Sequence, residues 1–168
     1  MGEGNNGMGC KMLLLLCGGL AIFGFFAAMI NVSQGLAASV SARQRKMGTE
    51  RDFPLLLAGM QAYTADHEGK LPPLTGAESL KSALCPKYVT KPESFTRIGD
   101  NAAYQPNPAL AGKPMRDYEK TLDTTIVLYE PSPAGDKNPS RTVLYLSGKS
   151  AQFSEPEWEI VRGANALP

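Results

Sequence analysis

Asp66-His67-Glu68 is the cluster in this chain with residue types suited to acid–base or metal chemistry, since histidine shuttles protons and carboxylates orient it. It contains the only histidine. The cluster falls where a helix is expected to end before Gly69, and adjacent residues on a helix do not converge, so a solvated polar turn is expected instead. The carboxylates Asp100, Asp117, Glu119 and Asp123 lie in a loop-rich stretch and could contact calcium, but their spacing is not that of an EF-hand. Cys10, Cys17 and Cys85 match no zinc pattern, and Cys85 stands alone in the polar part of the chain. There is no Gly-rich phosphate loop and no nucleophile elbow. Tyr63, Tyr145 and Trp158 could form an aromatic surface, but their helix and strand positions point to a core. The sequence therefore predicts no catalytic residue, no metal site and no cofactor: a protein that is not an enzyme.

What must position these residues is a chain of 168 residues with 17 basic and 16 acidic side chains, a net charge of +1. Such a balance provides no electrostatic footprint for nucleic acid, which is not an expected partner. The charges are unevenly placed. None occurs from Met12 through Ala42, and Lys11 and Arg43 bracket that stretch. Residues 12–32 are apolar apart from Asn31 and at helical rise span roughly 30 Å, a bilayer core, so they are read as one transmembrane helix. Leu14, Gly18, Gly19, Phe23, Gly24 and Phe25 would pack in the membrane or against other subunits. The rival reading is a secretory signal cleaved after Ala37 or Ala42, but the apolar run exceeds an ordinary signal core. Arg43, Arg45, Lys46 and Arg51 follow the span, and charge bias alone would place the C-terminal part in the cytoplasm.

The expected organisation is an N-terminal flank (1–11), a transmembrane helix (12–32), a helical connector (33–52) and a soluble α+β domain (53–168). Gly48 and Pro54 predict a bend or restart, with Asp52 as N-cap. Phe53, Leu56, Leu57, Met60 and Tyr63 recur on one helical face, which should be the core seam. Thr75 and Glu78 have capping-box spacing before Leu80 and Leu84. Prolines and glycines make 88–120 irregular, with room for a short strand. Residues 125–129, 142–146 and 151–153 read as three antiparallel strands, and Ser154 with Glu157 as a second capping box that opens a short helix whose Trp158, Ile160 and Val161 should cap the sheet. The long helix is expected to cover one sheet face, in a helix–sheet core of Phe53, Leu57, Met60, Tyr63, Val143, Tyr145 and Trp158.

Three stretches carry a family resemblance. The first joins Ala42-Arg43-Gln44-Arg45-Lys46 to the run from Leu57 through Tyr63 and Gly69 to Leu71-Pro72; the second is Leu84-Cys85-Pro86-Lys87-Tyr88-Val89. The third is Ile126-Val127-Leu128-Tyr129-Glu130-Pro131 followed by Arg141 through Lys149. Together they resemble the type IV pilins and type II secretion pseudopilins, in the branch whose closing hairpin carries His, a nine-residue gap and Asp-Gly. Here Lys137 stands at the histidine position and Ser147 replaces the aspartate before Gly148, so no His/Asp role carries over. The resemblance implies a pilin-like fold, in which a long N-terminal helix, transmembrane and then amphipathic, packs on a small antiparallel sheet. It further implies a single-pass protein of the bacterial cytoplasmic membrane, with its C-terminal domain outside that membrane or at the cell surface. Its partners would be the lipid bilayer, other pilin-like subunits and secretion-machinery proteins. Prepilin processing would fall between Gly9 and Cys10, making Leu14 the fifth mature residue where the family carries glutamate. The alternative function is a secreted or periplasmic binding domain released near Ala42.

Overall fold

A run of small, polar and apolar residues with helical periodicity opens the described part of the chain. In a computed structural model, residues 43–134 and 139–168 are described, all within one compact unit, Ser41–Pro168. Residues 43–66 are helical (α1) without interruption. The helix therefore does not restart between Gly48 and Pro54, and Asp52 is an interior, fully buried residue rather than an N-cap. Helix propensity alone would charge about 1 kcal/mol for the glycine and about 3 for the proline. Tertiary packing outweighs it. Thr49, Phe53, Leu56, Leu57 and Met60 bury one continuous stripe, while Pro54 and Glu50 lie on the exposed side, where a carbonyl freed by proline can meet water. Gly48 has a further reason to be glycine: a Cβ there would stand 2.7 Å from Ile98 Cδ1.

α1 stops as expected. Gly69 takes φ +78°, and its N–H donates to the Thr64 carbonyl at 2.9 Å, closing the last turn. After Leu71 and Leu74 enter the core, helix α2 (Ala77–Leu84) buries Leu80 and Leu84. Its N-cap is Gly76, which makes no side-chain cap, so Thr75 and Glu78 do not form the expected box; Glu78 instead favours the positive end of the helix from its first turn. Short 3-10 turns at Pro92–Phe95, Pro108–Leu110 and Met115–Tyr118 carry the irregular middle of the chain.

The sheet has four antiparallel strands in the order β1 (Gln105–Pro106), β2 (Ile126–Tyr129), β3 (Ser140–Tyr145) and β4 (Ser150–Ser154). Beside the three strands expected, β1 is the short strand for which the irregular stretch 88–120 left room. At the β3–β4 turn, Tyr145 N–H donates to Lys149 O and Gly148, at φ +88°, supplies the left-handed residue. Helix α3 (Glu155–Ala164) follows at once, and Glu157 Oε2 accepts from the Ser154 backbone N–H at 2.9 Å, the reciprocal half of the expected capping box.

Both faces of the sheet are covered. On one, Phe53, Leu56, Leu57 and Met60 of α1 join Val127, Leu128, Leu144 and Leu146. On the other, Ile126, Tyr129 and Val143 join Trp158 of α3 and Leu167. The single helix–sheet core expected is thus two cores. Val143 and Trp158 are buried, and Tyr145 packs partly, on the face away from Phe53, Leu57, Met60 and Tyr63, because neighbouring strand residues point to opposite faces. A register irregularity between Ile126 and Leu128 turns both Val127 and Leu128 toward α1.

Candidate functional site

The Asp66-His67-Glu68 cluster follows the last turn of α1 and its side chains diverge. Asp66 Oδ2 accepts from Lys87 Nζ at 2.8 Å and from Tyr88 Oη at 3.0 Å, and these two donors hold its carboxyl below the usual range. His67 stacks flat on Tyr63, with ring centroids 3.7 Å apart. Its Nδ1 lies 2.7 Å from the Tyr63 carbonyl oxygen, an acceptor only, so Nδ1 carries the proton. Glu68 turns away to Lys70 Nζ at 3.2 Å. Beside them runs an open groove of about 680 Å³ lined by Tyr63, Asp66, His67, Lys70, Leu71 and Gly112. Among the described residues no nucleophile–base pair faces it.

The loop carboxylates do not meet either. Asp100 is taken by Arg97, Asp123 by Lys149 Nζ at 3.0 Å, and Asp117 lies near Arg116, while Glu119 is exposed. Among the described residues no group of three or more His, Cys, Asp or Glu side chains gathers as a metal site would require. Cys85 is half-buried, its Sγ donates to Val89 O at 3.0 Å, and burial pushes its thiol pKa up.

The polar arrangement that does converge is buried where the first turns of α1 meet the segment 94–104 and the end of β2. Thr49 and Asp52 continue the apolar stripe of α1 toward the N-terminus, at 1% and 0% exposure. Thr49 Oγ1 donates to Glu130 Oε1 at 3.0 Å. Its single proton being used, the 3.1 Å contact with Tyr104 must be donated by the phenol, so the order is Tyr104 to Thr49 to Glu130. Glu130 Oε2 accepts the Thr142 backbone N–H at 2.8 Å, tying the network to β3. Arg97, also at 1% exposure, reaches Ser132 O at 2.8 Å and Ser132 Oγ at 2.9 Å, binds Asp100, and lies 3.8 Å from Glu130. Desolvation raises the Tyr104 phenol to about 12 despite its bond to Thr49. Asp52 Oδ1 accepts from Arg51 Nε at 2.8 Å, whereas Asp52 Oδ2 and Ser94 Oγ have no partner among the described residues.

Tyr104, Thr49, Glu130 and Arg97 spend their donors and acceptors on one another and on Asp100, Ser132 and Thr142, so the arrangement can hold α1, the 94–104 segment and the sheet together. The sequence reading missed this clasp. The available signal was polar Thr49 and Asp52 lying on the backward extension of an apolar helical stripe, with Glu130 closing an apolar strand.

Of the residues singled out from sequence, Phe53, Leu57 and Met60 are buried and Tyr63 half-buried against the sheet; Val143 and Trp158 are buried and Tyr145 half-buried on its far side. Gly9, Cys10, Leu14, Gly18, Gly19, Phe23, Gly24, Phe25 and Lys137 lie outside the described residues. Among the described residues no helix is long and apolar enough to cross a membrane. Comparison of the chain with known protein families, with curated proteins and with solved structures gives no match.

Proposed function

We propose that this protein is a non-enzymatic, membrane-anchored subunit of pilin-like architecture, a structural or interaction component of a bacterial envelope, pilus or secretion apparatus. The carrying observation is continuity. An apolar run that the sequence marks as bilayer-spanning leads, after a short uncharged stretch, into a helix that is unbroken from 43 to 66 and buries one face on an antiparallel sheet. The clasp of Thr49, Glu130, Tyr104 and Arg97 adds a reason for the arrangement: it fastens the early turns of α1 to the sheet through directional bonds, so helix and sheet would carry load as one body. Polar groups bonded to one another also suit a structural role better than substrate turnover.

On this reading the C-terminal domain is extracytoplasmic. Two of the four basic residues that argue otherwise have uses within the fold, since Arg51 pairs with Asp52 at 2.8 Å and Lys46 with Glu50 at 3.8 Å. The test has two parts. Intact mass is measured on protein recovered from separated membrane and soluble fractions; a membrane species, whether full-length or beginning at Cys10, supports the proposal, and a soluble species beginning near Arg43 overturns it. Cys85 is a poor topology probe because it is half-buried, so Glu159→Cys on the exposed side of α3 is used with a membrane-impermeant maleimide. Labelling in intact spheroplasts supports the extracytoplasmic domain; labelling only after lysis refutes it.

A further inference from the structure

Among the described residues β4 is an edge of the sheet, and its backbone phase can be read from its neighbours. Thr142 turns both backbone groups toward the β2 side, its N–H to Glu130 Oε2 and its carbonyl to Glu130 N–H. Gln152 is the partner of Thr142 in the β3–β4 register, so Gln152 directs its own N–H and carbonyl outward, away from β3. By the same alternation Ser150 also faces outward, while Ala151 and Phe153 bond to β3. Ser154 faces outward as well, but its N–H is held by Glu157. The open edge therefore presents four backbone groups, two donors and two acceptors, on Ser150 and Gln152.

Nothing on the strand itself guards this edge. Residues 150–154 are Ser-Ala-Gln-Phe-Ser, with no charge and no proline, features that ordinarily blunt exposed strands. The flanking charges are turned back into their own fold: Lys149 pairs with Asp123 at 3.0 Å and Glu155 with Arg141 at 2.9 Å. Ser150 and Gln152 are exposed, whereas Ala151 and Phe153 are half-buried at the margin of the core beneath α3.

We infer that β4 is a self-pairing edge, whose occupant is β4 of a second copy of this chain in antiparallel, two-fold arrangement centred on Ala151. In that register Ser150 of each copy lies opposite Gln152 of the other, and all four open groups are used in four backbone hydrogen bonds. The two Ala151 residues meet as a non-hydrogen-bonded pair with Cα atoms about 4.5 Å apart, a position that calls for a small side chain. Lys149 of each copy comes opposite Phe153 of the other, two residues from its Glu155, so the charges nearest each other across the two-fold are unlike, and each also keeps its own partner, Asp123 or Arg141, within its copy. Shifting the centre to Gln152 would require the Ser154 N–H that Glu157 already occupies, which is why the Ala151 register is the one selected.

The test is site-specific oxidation of the full chain in membranes or mild detergent, with Cys10, Cys17 and Cys85 replaced by serine. Ala151→Cys places two thiols within disulfide reach across the two-fold and is expected to yield mainly covalent dimer, whereas Gln152→Cys, whose copies are diagonal and about 7 Å apart, is expected to yield little. Adding Gln152→Pro to the Ala151→Cys chain removes the outward N–H of each copy at an edge position that tolerates proline, and should lower dimer yield by about tenfold. Gln152→Lys keeps the backbone donor and should lower the yield through like charge, with recovery at high salt, a recovery that misfolding would not show. Failure of Ala151→Cys to cross-link, equal cross-linking at 151 and 152, or indifference to both Gln152 substitutions would each overturn the inference.

Discussion

Thr49→Val isolates the buried clasp, because valine matches threonine in shape and removes only the hydroxyl. That hydroxyl donates to Glu130 at 3.0 Å and accepts from Tyr104 at 3.1 Å, at a residue 1% exposed. A hydrogen bond to a charged group is worth about 1.5–3 kcal/mol and a neutral one about 0.5–1.5, and here both partners would remain buried without replacement, so the expected loss is about 2–4 kcal/mol. No cavity contributes, which makes the figure specific to the polar contacts. The donor order adds a sharper expectation. Tyr104→Phe alone should cost about 1 kcal/mol, and the double variant should cost about 1 kcal/mol less than the sum, because the phenol stranded by Thr49→Val is then gone. The assay is equilibrium urea unfolding of the full chain in mild detergent, followed by fluorescence of Trp158, the only tryptophan, buried against Tyr129 beneath α3. A loss of less than about 0.5 kcal/mol for Thr49→Val, or additivity within that margin, would refute the reasoning that this chain of hydroxyls fastens α1 to the sheet.

Gly59→Ala should gain about 1 kcal/mol of helix propensity yet destabilise overall, since its Cβ would sit 2.5 Å from the Cγ2 of buried Val89 and overpacking of that kind costs about 1–3 kcal/mol. Thermal unfolding should show the loss, and the companion change Val89→Ala should convert Gly59→Ala from destabilising to neutral or stabilising. At high pH, Tyr104, raised to about 12 from 10.0, contributes stability that is complete below pH 10 and lost as pH rises toward 12. Ultraviolet titration should therefore find a late step in the ionisation of the phenols, to which Tyr129 and Tyr145, also raised by burial, contribute, and Tyr104→Phe should remove one phenol from that step.

The sequence was most legible where local geometry and burial agree. Phe53, Leu56, Leu57 and Met60 could be placed on one helix face because a 3.6-residue period requires it, and the structure buries all four. Gly69 as a terminator and Glu157 as a capping partner were readable for the same reason: each acts within a few residues of where it sits. The strand character of residues 142–146 was also visible. Which face each strand residue would serve was not: the short helix after Ser154 was expected to cap the sheet, but Val143 and Tyr145, expected to pack with α1, serve the face that α3 covers.

Tertiary structure decided the rest. The helix runs through Pro54 because the stripe buried on its inner side outweighs a local cost borne on its exposed side. β1 is two residues long and contains Pro106, so no periodicity could announce it; it exists because β2 offers an edge to pair with. The clasp joins residues 81 positions apart, Thr49 and Glu130, whose types would by default be assigned to the surface. Sequence alone determined the pieces, since helical and strand periods are properties of a few consecutive bonds. Only the folded chain determined the polar interior, since a buried hydroxyl or carboxylate is tolerable only when a partner arrives from elsewhere, and that arrival is set by packing rather than by spacing.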